Sequence, residues 1–165
     1  MRHGHTAYDV VHRFLGHGRD LASLSTDGVA QSERAAEALV AAPPDAIISS
    51  PMTRALQTAT IIGHRIDRPV AVEVDLHEWM PDAEQQWHGP AVPTAAYDDL
   101  TACGGEWPPG ADRAWEPLSA IRARVDPVLD RHGGDLLVVC HSVVIQAMTG
   151  VAGCPFVGVV ELSRP

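Results

Sequence analysis

Along this chain apolar residues recur with helical spacing, then with strand spacing, and the two rhythms take turns. In STDGVAQSERAAEALVAA (Ser25–Ala42), Val29, Ala35, Ala36, Leu39 and Val40 fall on one side of a 3.6-residue repeat, with Thr26 or Asp27 as a cap. Pro43 and Pro44 stop that helix, and DAIISS (Asp45–Ser50) follows as a short buried strand. PMTRALQTATIIGHRI predicts a second helix, with Pro51 near the first turn, where a missing N–H costs nothing. PVAVEVDL (Pro69–Leu76) alternates with period two and predicts another strand. The stretch Trp79–Trp115 is rich in Pro, Gly and Trp and predicts loops around a short helix near Ala95–Leu100; its length suits a lid or binding excursion. A further helix covers Pro117–His132, with Pro127 as a kink or a break. DLLVVC (Asp135–Cys140) is a buried strand, SVVIQAMTG a short helix ended by Gly150, and FVGVVELS (Phe156–Ser163) a final strand.

Strands separated by helices predict an α/β fold: a mainly parallel central sheet with helices on both faces, in a single domain over residues 1–165. Such sheets bind ligands beyond the carboxyl ends of their strands. Arg54 lies just past the Asp45–Ser50 strand, Glu78 just past Pro69–Leu76, and His141 directly after Cys140. Arg2 and His3 join them if a strand precedes residue 1. Two arginines, two histidines and one carboxylate then share one rim.

Composition narrows the chemistry. The formal charge of −9 lacks the basic stripe that nucleic acid requires, so no nucleic-acid partner is expected. No apolar run approaches the roughly 18 residues of a membrane span and no signal peptide is recognisable, so no membrane partner and a cytoplasmic location are expected. Cys103, Cys140 and Cys154 are odd in number and lack zinc spacing, which suits a reducing compartment. All twelve basic residues are arginine, which excludes a lysine Schiff base and a P-loop lysine. No arginine stands six positions after any cysteine, where a thiol phosphatase needs it. His3 and His5 have ligand spacing, but zinc wants three or four converging ligands; neither metal nor cofactor is expected.

Two guanidinium groups at one rim make an anion site, because each can grip phosphate oxygens bidentately. A neutral imidazole there can attack phosphorus, and a carboxyl group with a raised pKa can protonate the leaving oxygen and then activate water. Arginine and histidine supply the positive charge that magnesium supplies elsewhere.

These residues resemble the histidine phosphatase superfamily, the phosphoglycerate mutase-like proteins. RHGHT is similar to that family's Arg-His-Gly signature, and SSPMTRALQTA to the stretch that supplies its second arginine. GHGRDLASLSTDGVAQSERAAEAL resembles the segment before and within the first helix, LHEW the segment of the acid/base glutamate, GGEWP a later Gly-Gly-Glu turn, and VVCHSVVI the strand with the second histidine. The likeness runs from Arg2 to about Gly150. The bare tripeptide is a weak signal, whereas SSPMTRALQTA and the family order of all the pieces are strong ones. The resemblance implies a phosphoglycerate mutase-like fold and a phosphomonoesterase acting on a small phosphorylated metabolite. It makes His3 the phosphorylated nucleophile and Glu78 the acid/base. Arg2, Arg54 and His141 then hold the phosphoryl oxygens. A mutase and a non-catalytic phospholigand-binding module are the alternatives.

The chain also departs from the family. No hydrophobic strand precedes its Arg-His-Gly, so that strand is expected to lie upstream of Met1. Tyr8-Asp9 stand where Trp-Asn is frequent, and an extra carboxylate repels a phosphate dianion, so Asp9 is expected to point elsewhere or to meet a cationic group. His5 replaces a common Glu or Gln, and Cys140 and Ser142 flank His141 where glycines are frequent. Glu84 and Glu106 compete with Glu78 for the acid role. The tryptophans Trp79, Trp87, Trp107 and Trp115 are expected to anchor loops.

Overall fold

The computed structural model describes residues 1–7, 20–84 and 91–163. The elements alternate as the hydrophobic rhythm requires: α1 (Thr26–Leu39), β1 (Ala46–Ser49), α2 (Thr53–Ile66), β2 (Val70–Val72), a 3₁₀ turn (Val74–Leu76), α3 (Ala91–Ala102), α4 (Leu118–Asp130), β3 (Leu136–Val139) and α5 (Ser142–Thr149). The strands are parallel in the order β2-β1-β3, with Ile47 paired to Val70 and Leu137, and Ile48 to Ala71 and Val138. Parallel neighbours require a crossover, and α2 supplies the one between β1 and β2.

Successive residues of a strand face opposite sides, which divides the core in two. Ile47, Leu137 and Val139 pack with Ala36 of α1 and with Ala55, Ala59, Ile62 and Ile66 of α2. Ile48 faces the other way, toward Leu76, Leu100 of α3, Ile121, Val125 and Val128 of α4, and Val143, Val144 and Ala147 of α5. Each fully buried Ile or Leu in these layers contributes ~1.5–3 kcal/mol relative to an exposed one. Helices thus cover both faces, as the alternation of elements requires.

The first residues extend the sheet past β3. The Met1 ammonium donates to the Val138 carbonyl at 2.8 Å, the Cys140 N–H to Met1 O at 3.0 Å, and the His3 N–H to Cys140 O at 3.0 Å. Arg2 and Cys140 form a parallel bridge. Met1–His3 therefore supply backbone bonds that hold the signature at the sheet's rim.

Several elements differ from the sequence expectation. No strand forms over Phe156–Ser163: Phe156 and Val157 lie in a turn, while Val159 and Leu162 are exposed. The segment meets Arg2 only at a turn: Gly158 O accepts from the Arg2 N–H at 3.0 Å, Val157 N–H donates to Arg2 O at 3.1 Å, and Val157, with φ 53, bends the chain out of an extended strand. The Pro69–Leu76 strand stops at Val72, because the chain turns through Val74–Leu76 to bury Leu76 completely. The helix expected near Ala95–Leu100 spans Ala91–Ala102, with Pro93 tolerated in its first turn. α4 is one helix with Pro127 inside it. The oxygen that caps α1 belongs to Ser25, accepting from the Gly28 N–H at 3.1 Å, in place of Thr26 or Asp27.

Candidate active site

The carboxyl ends of the strands bring the five predicted residues together. β1 ends at Ser49 and the chain turns through Ser50, Pro51 and Met52 into α2, whose second residue is Arg54. β3 ends at Val139, and Cys140 and His141 lead into α5. No side chain caps the first turn of either helix, so their leading N–H groups and positive dipole ends face this rim. Glu78 follows the 3₁₀ turn after β2.

His3 is buried and its tautomer is fixed by its two partners. Nδ1 lies 2.7 Å from the Gly4 carbonyl, which can only accept, so Nδ1 carries the proton. Arg54 Nε, which can only donate, lies 3.1 Å from Nε2, so Nε2 presents its lone pair. Burial, and then the charge of Arg54, lower the His3 pKa from 6.5 to about 3. The imidazole is therefore neutral at physiological pH.

The peptide that fixes this tautomer is itself held. Gly4 N–H donates to Thr58 Oγ1 at 3.0 Å, and that hydroxyl donates to the Arg54 carbonyl at 2.8 Å. A Cβ at Gly4 would come within 2.7 Å of the Gly28 carbonyl, and one at Gly28 within 2.0 Å of the His5 carbonyl. Glycine at both positions lets the signature loop lie against α1. His5 turns to Ser25 Oγ through Nδ1 at 2.8 Å, and its N–H donates to Gln31 Oε1 at 2.9 Å.

The His141 ring lies 5.2 Å from that of His3, centroid to centroid. It is completely buried, and burial together with the Arg54 charge holds its pKa well below the ordinary histidine value. Nε2 lies 2.8 Å from Ser50 Oγ. Nδ1 has no hydrogen-bond partner and lies 3.9 Å from Glu78 Oε2, too far for a bond and, with a neutral ring, no ion pair. Ser50 O–H can donate to Nε2, which leaves the ring proton on Nδ1, the side that faces Glu78. The other Glu78 oxygen accepts from the Trp79 N–H at 2.9 Å.

Arg2 donates from Nη1 to the Cys154 carbonyl at 2.7 Å, and its guanidinium carbon sits 4.0 Å from the centre of the Phe156 ring. Its Nε is buried without a partner. Arg54 Nη2 reaches Met52 Sδ at 3.1 Å. Two guanidinium groups beside two neutral imidazoles make this rim a site for an anion, with Arg2 Nε and His141 Nδ1 as unsatisfied donors.

Of the competing residues, Glu106 pairs with Arg122 at 2.7 Å and with Ser119, and Glu84 is exposed. Trp79, Trp107 and Trp115 spend their indole N–H groups on Glu116 O, Trp115 O and Asp99 Oδ2, which makes them loop anchors. Burial pushes the Cys140 thiol pKa up, so it is an apolar strand residue. Among the described residues no three His, Cys, Asp or Glu side chains gather as a metal centre. Asp9, Tyr8, His12, His17, Trp87 and His88 lie outside the described residues.

Sequence reasoning missed Ser50, Thr58 and Phe156. Ser50 and Thr58 were within reach, since SSPMTRALQTA contains both, and Thr58 lies four residues after Arg54 on the same helix face. Nothing local marks Phe156, which meets Arg2 only through the fold.

Residues 1–156 match the family model of the histidine phosphatase superfamily (branch 1). The chain is 34% identical over 155 residues to glucosyl-3-phosphoglycerate phosphatase of Mycolicibacterium vanbaalenii, covering 93% of this chain and 62% of that protein's length. The structure of mycobacterial glucosyl-3-phosphoglycerate phosphatase in complex with inorganic phosphate superposes with a TM-score of 0.67 at 26% identity, over 90% of this chain and 74% of that one. A Thermus thermophilus protein superposes with a TM-score of 0.67 at 27% identity, over 95% and 87%.

Proposed function

Because the chain belongs to the histidine phosphatase superfamily, we propose that it hydrolyses phosphate monoesters of a small metabolite through a phosphohistidine at His3. The observation that carries this reading is the neutral His3 ring, its Nδ1 proton given to Gly4 and its Nε2 lone pair turned toward Arg54. Arg54 hands its Nε–H from that lone pair to an arriving phosphoryl oxygen, which frees Nε2 to attack phosphorus. Arg2 Nε and His141 Nδ1–H take further phosphoryl oxygens and stabilise the charge that develops on them. As the N–P bond forms, the bond from phosphorus to the leaving oxygen breaks and Glu78, which enters this step as the protonated acid and is reprotonated by water in the next, gives that oxygen its proton. Water then attacks phosphorus, Glu78 takes its proton, the N–P bond breaks, and phosphate leaves. No metal enters these steps.

The substrate is a small phosphorylated metabolite; the matched relative, by its name, acts on glucosyl-3-phosphoglycerate, and this chain spans 62% of that relative's length. We place the reaction in the cytoplasm, a reading supported by three unpaired cysteines. No helix of the described residues is long and apolar enough to cross a membrane. Phosphate release from an aryl phosphate and from a panel of sugar and acid phosphates tests the proposal. We expect turnover that survives chelator dialysis and falls at least ~10³-fold in His3→Ala. Turnover unchanged in that variant contradicts it.

A further inference from the structure

The loop Cys154–Gly158 encloses Arg2 on its backbone and on its side chain. Arg2 N–H donates to Gly158 O at 3.0 Å, and Val157 N–H donates back to Arg2 O at 3.1 Å. Cys154 O takes Nη1, and the Phe156 ring lies against the guanidinium plane at 4.0 Å. The same ring stands 5.8 Å from the His3 ring and meets the His5 ring edge-on at 5.2 Å.

The loop is built to put Phe156 there. Gly158 N–H donates to Pro155 O at 2.9 Å, closing a tight turn whose third residue, Val157, has φ 53. That conformation is one glycine or asparagine normally takes, and a β-branched residue in it costs ~1–2 kcal/mol. A Cβ at Gly158 would meet Pro155 at 2.9 Å and Cys154 Sγ at 3.0 Å, so the turn has no slack. Strain of this kind persists only where surrounding contacts over-determine it, and here the loop contacts Arg2, His3 and His5, with its polar and cation contacts centred on Arg2.

We propose that Phe156 is a positioning residue for Arg2, holding the guanidinium in one orientation so that its buried Nε stays aimed for a phosphoryl oxygen. The inference rests on the phosphoryl-binding reading of Arg2 given above. A free arginine carries substantial rotamer entropy, and anchoring it beforehand removes that cost from ligand binding. The ring's negative face attracts the cation without using a donor, whereas a carboxylate in its place would compete with phosphate for the same N–H groups.

The test measures the affinity of the full chain for inorganic phosphate by calorimetry, in wild type, Phe156→Leu and Phe156→Tyr. Leucine keeps apolar bulk and removes the π face, and tyrosine keeps both. We expect Phe156→Leu to weaken phosphate binding ~5–30-fold and to raise KM for a monoester more than it lowers kcat, with Phe156→Tyr within ~2-fold of wild type. In an Arg2→Ala background the same leucine substitution should cost nothing further. Equal affinity in wild type and Phe156→Leu, or an equal loss with and without Arg2, overturns the proposal. Nitrogen-15 arginine spectra of the wild type give a reading that needs no variant. Arg2 Nε–H should be displaced upfield by the ring and protected from exchange, and its absence from that position overturns the proposal even if Phe156→Leu does not fold. A wild type that shows this signature and binds no phosphate overturns the phosphoryl-binding reading, and with it the purpose assigned to the ring.

Discussion

Lowering the pH from 7 to 5 should cost the fold about 2 kcal/mol through His3 alone. In the unfolded chain this imidazole titrates near the ordinary histidine value of 6.5, while burial and the Arg54 charge bring it to about 3 in the fold. The unfolded state therefore holds the proton more readily. The contribution of His3 is complete above pH 6.5, falls by ~1.4 kcal/mol per pH unit below it, and is spent near pH 3, where both states are protonated. His141, lowered by burial and then by Arg54, adds a loss of the same sign. The His3→Gln variant isolates the first of these, since glutamine cannot titrate. Urea unfolding at pH 7, 6 and 5, in phosphate-free buffer so that no ligand biases the fold, gives the stability of each protein. Between pH 7 and 5 the wild type should lose ~2 kcal/mol more than His3→Gln. Two parallel declines, agreeing within ~0.5 kcal/mol, would refute the argument that His3 is held neutral by burial and Arg54.

Glu78→Gln should slow hydrolysis of an alkyl phosphate ~10²–10⁴-fold but retain an initial burst with an activated aryl phosphate, whose leaving group needs no proton. Rapid-quench kinetics with both substrates would show equal slowing and no burst if the acid is another residue. Thr58→Val should destabilise the fold by ~1–3 kcal/mol, because the buried Gly4 N–H loses its acceptor, and urea midpoints unchanged from wild type would contradict that role. Arg54→Lys should lower kcat/KM ~10²-fold or more in steady-state assays, since an ammonium lacks the planar fork that holds His3 Nε2 in the empty site and then grips phosphoryl oxygens bidentately.

The site was legible because strand ends are legible. DAIISS and DLLVVC are short apolar runs with sharp ends, so Arg54 and His141 could be placed at one rim from the chain alone. Glu78 was reached by a wrong route: its strand ends at Val72, and the turn that buries Leu76 carries the glutamate to the rim. The final segment misled because FVGVVELS has strand chemistry, yet its pairing with Arg2 is confined to Val157 and Gly158, where a tight turn with Val157 at φ 53 breaks the extended backbone. The α1 cap fell on Ser25 because His5 sits beside it: Ser25 N–H donates to His5 O, and its hydroxyl meets His5 Nδ1. Such tertiary partners leave no mark in local spacing, and the place of Phe156 against Arg2 was hidden for the same reason.

The central claim is that phosphorus passes through Nε2 of His3. Mixing the protein with a ³²P-labelled monoester, quenching in the millisecond range under alkaline conditions and mapping the labelled peptide tests it directly. The account predicts an acid-labile, base-stable phosphoryl group on His3, attached at Nε2 and not Nδ1, that forms and decays fast enough to carry the measured turnover. Turnover with no such label, a label on another residue, or a label that decays more slowly than product appears would contradict it.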